Sequence, residues 1–162
     1  MPEGFGAGTQ LPVLDGRMER VSRQGATPPG ERGVGEPDET TDALASVVLD
    51  AAFEVHRHLG PAFLESVYEN ALCHELSLRN VAFERQVVVS VLYKDLSVGE
   101  GRADLIVGQR VVVELKALPA LGPVHLAQTL SYLKATGLRL GLLVNFGERL
   151  LRTGCRRVVL TR

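Results

Sequence analysis

Apolar residues return every three or four positions at Leu44, Val48, Ala51, Val55 and Leu59, the spacing that lines one face of an α-helix. Thr40 or Thr41 is placed to cap its start, and Gly60-Pro61 to stop it. A second helical stretch runs from about Leu64 to Arg79, with Val67, Ala71, Leu72, Leu76 and Leu78 apolar and Asn80 suited to a left-handed stop. The texture then turns β-branched. Gln86 to Tyr93, Gly101 to Val107 and Arg110 to Ala117 read as three consecutive strands, a meander whose turns fall at Lys94-Asp95 and Gly108-Gln109. Gly122-Pro123 opens another helix, with Val124, Ala127, Leu130 and Leu133 apolar and Gly137 at its end. Strands follow at Leu140 to Asn145 and Arg157 to Leu160. The order ααβββαββ predicts an α/β fold, a central mixed sheet flanked by helices, because the helix between the third and fourth strands permits a parallel crossover.

Two charges interrupt this pattern. Arg110 to Ala117 is apolar apart from Glu114 and Lys116, which stand at i and i+2 and so leave the same strand face. Charge planted in a buried strand calls for a compensating partner, a metal ion or a second charge. The hairpin turn at Gly108-Gln109 brings Asp104 toward the level of Glu114 across the ladder. Asp104 and Glu114 then offer the pair of carboxylates that Mg²⁺ accepts, and Lys116 is placed to orient a water or to meet charge building up on phosphorus. A plainer alternative is a Glu-Lys ion pair on an exposed edge strand. Gln128 and Tyr132, at i and i+4 on the following helix, share a face near the end of the Lys116 strand, where Gln128 could bind phosphate or fix the water. Glu65 lies in the first turn of its helix, which the helix dipole favours without any function, with Tyr68 at i+3.

Composition changes the picture mainly at the N-terminus. Residues 1–38 carry eight of the 17 Gly and five of the eight Pro with no apolar period, so they are expected to be a disordered extension, and Met18 is another candidate start. Residues 39–162 form the expected domain. Cys73 and Cys155 lack any CxxC or Cys/His cluster, which suggests neither a disulfide framework nor a zinc site. No membrane span or leader is expected, and the sequence reads as cytoplasmic. The net charge of -1 is divided unevenly: six Arg face one Glu from Arg139 onward, and Arg149, Arg152, Arg156, Arg157 and Arg162 could meet phosphates or form a solvated face.

The stretch Leu59-Gly60-Pro61-Ala62-Phe63-Leu64-Glu65-Ser66-Val67-Tyr68-Glu69-Asn70-Ala71-Leu72 resembles the signature of the GxxExxY protein family, a member of the PD-(D/E)xK superfamily. The resemblance continues through Gln86, through Asp104-Leu105-Ile106-Val107 and through Val113-Glu114-Leu115-Lys116-Ala117. It then takes in Gln128-Thr129-Leu130-Ser131-Tyr132-Leu133 and Gly141-Leu142-Leu143-Val144-Asn145-Phe146-Gly147, covering roughly Leu44 to Leu160. The resemblance implies a restriction-endonuclease-like core, with Asp104 and Glu114 as metal ligands, Lys116 as the catalytic lysine, and Glu65 as the acid of the leading helix and a further metal ligand. Gln128 and Tyr132 would then be the QxxxY element of RecB-type nucleases. One departure is Ala62, where the motif has Gly. A positive φ there would cost about 1 kcal/mol with a Cβ present or would shift Glu65.

The expected protein is thus a Mg²⁺-dependent nuclease, with Mn²⁺ as a substitute ion, that hydrolyses DNA ahead of RNA. Two alternatives stand beside it: a catalytically silent nucleic-acid-binding module on the same fold, and a partner-binding domain whose first helix packs on another subunit. Homo-oligomerisation is left open.

Overall fold

The computed structural model describes residues 13–15 and 35–161. In chain order the elements are β1 (Val13–Asp15), α1 (Glu39–Leu59), α2 (Glu65–Leu78), β2 (Phe83–Tyr93), β3 (Leu96–Val107), β4 (Val111–Lys116), α3 (Pro123–Thr136), β5 (Leu140–Asn145), α4 (Leu151–Gly154) and β6 (Cys155–Val159). The fold is α/β, with a mixed sheet in the order β1-β6-β5-β4-β3-β2. The expected meander of β2, β3 and β4 is antiparallel, and α3 makes the crossover that sets β5 parallel to β4. Val13–Asp15, inside the expected extension, pair in parallel with β6. The remainder of residues 1–34 lies outside the described residues.

The β2–β3 loop has two residues and the β3–β4 loop three, Gly108 to Arg110, and each opens with two successive residues of positive φ. These are Lys94 (47°) with Asp95 (66°), and Gly108 (55°) with Gln109 (57°). Backbone of that hand matches the twist of the flanking strands and closes them without splaying. The turn after β3 therefore fixes Val107 opposite Val111, and every later pairing on that ladder follows from it.

Helices cover both sheet faces. Ala45, Val48, Ala51 and Val55 of α1, with Tyr68, Leu72 and Leu76 of α2, pack on Leu105, Val113, Leu115 and Leu142. On the other face Leu133 of α3, flanked by Leu126 and Leu130, packs on Ile106, Val112 and Val158. The face expected for α3 is corrected here. Val124 and Ala127 are exposed, and Thr129 is buried, its methyl group lying where a Cβ on Gly141 would stand. Val67 and Leu78 of α2 also face solvent.

Helix ends differ in detail from expectation. The N-cap of α1 is Asp38, whose Oδ1 accepts the Thr41 N–H at 2.8 Å, whereas Thr40 lies inside the first turn and Thr41 is buried. Gly60 carries the positive φ (69°) that ends α1, while Asn80 (55°) follows α2 and Gly137 (73°) closes α3, both as the sequence suggests. Ala62 is not in the left-handed region, so its Cβ brings no backbone strain.

Candidate active site

β4 runs between β3 and β5 with Val111, Val112, Val113 and Leu115 fully buried, which rules out the edge-strand ion pair. Strand alternation puts Glu114 and Lys116 on the same side as Val112, the side covered by α3. Glu114 is 1% exposed, and Lys116 Nζ stands 3.6 Å from its Oε2.

The β3–β4 ladder ends where Leu105 pairs with Val113. At the next position, where Asp104 meets Glu114, side chains replace the backbone-to-backbone bonds. Asp104 N–H donates to Glu114 Oε1 at 3.3 Å, and Leu115 N–H donates to Asp104 Oδ2 at 2.8 Å. The split in the ladder is thus filled by two carboxylates, each held by the backbone of the opposite strand. Burial, and then the Asp104 charge, push Glu114 up to about 8 against the opposing pull of Lys116. Burial also raises Asp104, opposed by the Leu115 N–H and by Lys116.

Glu65 opens α2, and its pKa is raised by burial, with Lys116 opposing and the charges of Asp104 and Glu69 adding. Its placement rests on Tyr68, which is fully buried. The phenol donates to Gly60 O, accepts the Phe63 N–H at 3.1 Å and stacks on Phe146 at 4.5 Å between ring centroids. In the Glu-x-x-Tyr spacing, the tyrosine clamps the turn that aims the glutamate.

Sequence reasoning gave no role to Asn145. In the parallel register it lies beside Lys116, and its fully buried amide accepts the Leu118 N–H (2.9 Å) and the Gly147 N–H (3.2 Å) while donating to Leu118 O (2.9 Å). Phe146 N–H donates to Lys116 O at 2.7 Å. A Cβ on Gly147 would lie 2.2 Å from Leu118 O, so only glycine lets the two loops pass. Asn145-Phe146-Gly147 therefore anchors the exit of the lysine strand and also touches Tyr68.

Gln128 and Tyr132 bond to each other, Nε2 to Oη at 3.3 Å, as their spacing suggests. Tyr132 also accepts the Arg102 N–H at 3.3 Å, and its ring lies where a Cβ on Gly101 would stand, so it braces α3 against β3. Of the late arginines, Arg157 is committed elsewhere: it pairs with Asp42 at 2.8 Å and Glu36 at 3.3 Å, and does not serve as an open phosphate contact. Cys73 and Cys155 are both buried free thiols.

A family model described as the PD-(D/E)XK nuclease superfamily matches residues 42–158. The chain belongs to this superfamily. No curated protein and no solved structure matches it. The matched span begins inside α1 and closes inside β6, so it takes in every residue of the site. A PD-(D/E)XK nuclease acts in general on nucleic acid, and enzymes of this class typically use divalent metal ions. Among the described residues, no three His, Cys, Asp or Glu side chains stand together closely enough to hold an ion on protein ligands alone. The pair that is present, with Glu114 buried, Asp104 half-buried and the two mutually repulsive, fits a hard divalent cation of the kind that takes one or two carboxylates and keeps waters and substrate oxygens as its other ligands. Among the described residues, no helix is long and apolar enough to cross a membrane.

Proposed function

We propose that this PD-(D/E)XK domain is a Mg²⁺-dependent phosphodiesterase that cleaves DNA, with Asp104 and Glu114 holding the ion and Lys116 acting on the chemical step. The observation that carries the reading is the split β3–β4 ladder, where the buried Glu114 carboxylate, the half-buried Asp104 carboxylate and one ammonium meet. Burying them together is unfavourable for folding alone, since Glu114 is pushed up to about 8 in their company. A cation shared by Asp104 and Glu114 would relieve that repulsion.

The chemistry supplied by a bound Mg²⁺ is Lewis-acid polarisation of a phosphoryl oxygen and acidification of a water. The chain's own residues do the rest. Asp104 keeps its carboxylate turned into the split because the Leu115 N–H holds Oδ2. Lys116, anchored at its carbonyl by the Phe146 N–H, presents an ammonium to the attacking water or to the negative charge that grows on the phosphoryl oxygens. Gln128 is available to a phosphate oxygen, while Tyr132 holds β3 against α3. Glu65 adds negative charge at the rim, where a water ligand of the ion could be steered.

The test is cleavage of labelled DNA and RNA, single- and double-stranded, by the full chain. Cleavage of DNA with Mg²⁺ or Mn²⁺, abolished by EDTA and restored by either ion, is the expected result. Cleavage that persists in chelator overturns the metal assignment, and RNA cleaved faster than DNA overturns the substrate.

A further inference from the structure

β2 contains a residue whose backbone a regular strand does not explain. Gln86 has φ 49°, in the left-handed region, between Arg85 paired with Leu105 and Val87 paired with Ala103. It therefore sits opposite Asp104, at the level where β3 parts from β4. For a residue with a Cβ that conformation is strained, and such outliers persist where surrounding contacts hold them.

The contacts are polar and converge on the site. Gln86 Nε2 donates to Glu69 Oε2 at 2.9 Å and reaches Asp104 Oδ1 at 3.4 Å. Both partners are carboxylates, which only accept, so the amide must present its NH₂ to them; the flipped amide would set an oxygen against two negative charges. Glu69 is nearly buried and is fixed from its other side by Arg85, whose Nε donates to Oε1 at 3.0 Å. With Leu115 N–H on Oδ2, both oxygens of Asp104 are held. A glutamate at 86 would add a third negative charge, and a residue without the amide would leave Asp104 Oδ1 unheld.

We propose that Gln86 is a positioning residue for Asp104. Braced by Glu69 and Arg85, it spends its left-handed backbone on turning one NH₂ between Glu69 and Asp104, which sets the Asp104 carboxylate for a divalent cation. The inference rests on the reading of Asp104 as a metal ligand and adds the device that orients it. Partners of this kind, hydrogen-bonded to a ligating carboxylate, typically change metal affinity by roughly 10- to 100-fold when removed.

The experiment is calorimetric titration of Mn²⁺ into the full chain and into Gln86→Gly, Gln86→Met, Asp104→Asn and the Gln86→Gly/Asp104→Asn double variant, with thermal melts alongside. Glycine at φ 49° relieves strain, so Gln86→Gly should melt no lower than the parent while binding Mn²⁺ about 10-fold more weakly. Gln86→Met keeps the bulk of the side chain without the amide and should lose the same affinity. In the Asp104→Asn background, Gln86→Gly should cost no further affinity. A residue that only shapes the strand would move the melting temperature and leave Mn²⁺ affinity alone. Parental affinity in both single Gln86 variants, or a loss that adds fully to that of Asp104→Asn, overturns the proposal. Parental affinity in Asp104→Asn overturns the underlying site instead.

Discussion

The two sides of β4 are built differently. Toward β5 the pairing is continuous from Val111 to Lys116, and it is extended past the strand end by the Asn145 amide and the Phe146 N–H. Toward β3 it stops after three pairs, and carboxylates occupy the opening. One strand is thus clamped along one edge and split along the other. The clamped side is made of neutral, mutually satisfied groups, while the split side sets two carboxylates against the single ammonium of Lys116. If Asp104 and Glu114 hold the ion as proposed, both sides are needed, because the lysine and the two carboxylates are useful only if their spacing survives the repulsion between the carboxylates.

If that division is right, changes on the two sides should fail in different ways. Lys116→Met keeps much of the apolar stem and removes the charge, so turnover is expected to fall by a factor on the order of 100 or more with folding and Mn²⁺ affinity retained. Asp104→Asn should instead lose Mn²⁺ affinity together with activity. Normal turnover in Lys116→Met would remove the lysine from the chemistry.

The charge on the split side should also be visible without substrate. In chelator, folded Glu114 holds its proton up to about 8, whereas the unfolded chain releases it near 4.5. The native state then binds the extra proton between those values, so this group's contribution is fully present below about 4.5 and is lost as pH rises through about 8. Melting temperature of the metal-free protein should therefore fall more steeply across that window than that of Glu114→Gln. Parallel curves for the two proteins would show that Glu114 does not carry this strain.

What the sequence made legible was local. Glu114 and Lys116 stood out because they break an apolar strand at i and i+2, and Gly108-Gln109 supplied the turn that set Asp104 across from them. The length of the β2–β3 hairpin was not legible, since Leu96 to Glu100 are exposed and carry no burial pattern, yet they pair with residues of β2. Nor was the face of α3, where Thr129 rather than Val124 turns inward because Gly141 leaves room for it. The buttress was hidden for another reason. Tyr68 and Phe146 are far apart in the chain, and Asn145 looks like the polar end of a strand until Leu118 is seen beside it.

That buttress is the place to break the clamped side. Asn145→Ala removes three hydrogen bonds to loop backbone and leaves buried polar groups without partners, so a loss of about 2 kcal/mol is expected in denaturant melts. Because the opposite edge of β4 is untouched, Mn²⁺ affinity should hold while turnover drops with the loosened lysine. An equal loss of Mn²⁺ affinity would mean that the two sides are not separable.

Tyr68→Phe is the finer probe of the same support. The ring stays stacked on Phe146, and only the hydroxyl that ties Gly60 O to the Phe63 N–H is lost. Phe63 is half exposed, so water can take over part of that bonding, and the stability cost should be about 1 kcal/mol. The consequence for function should be confined to Glu65, the residue that this turn aims. Turnover in Tyr68→Phe should therefore fall no further than in Glu65→Gln, and combining the two should add little. A double variant markedly slower than Glu65→Gln would show that Tyr68 reaches the site by another route, through Phe146 and the clamp on Lys116.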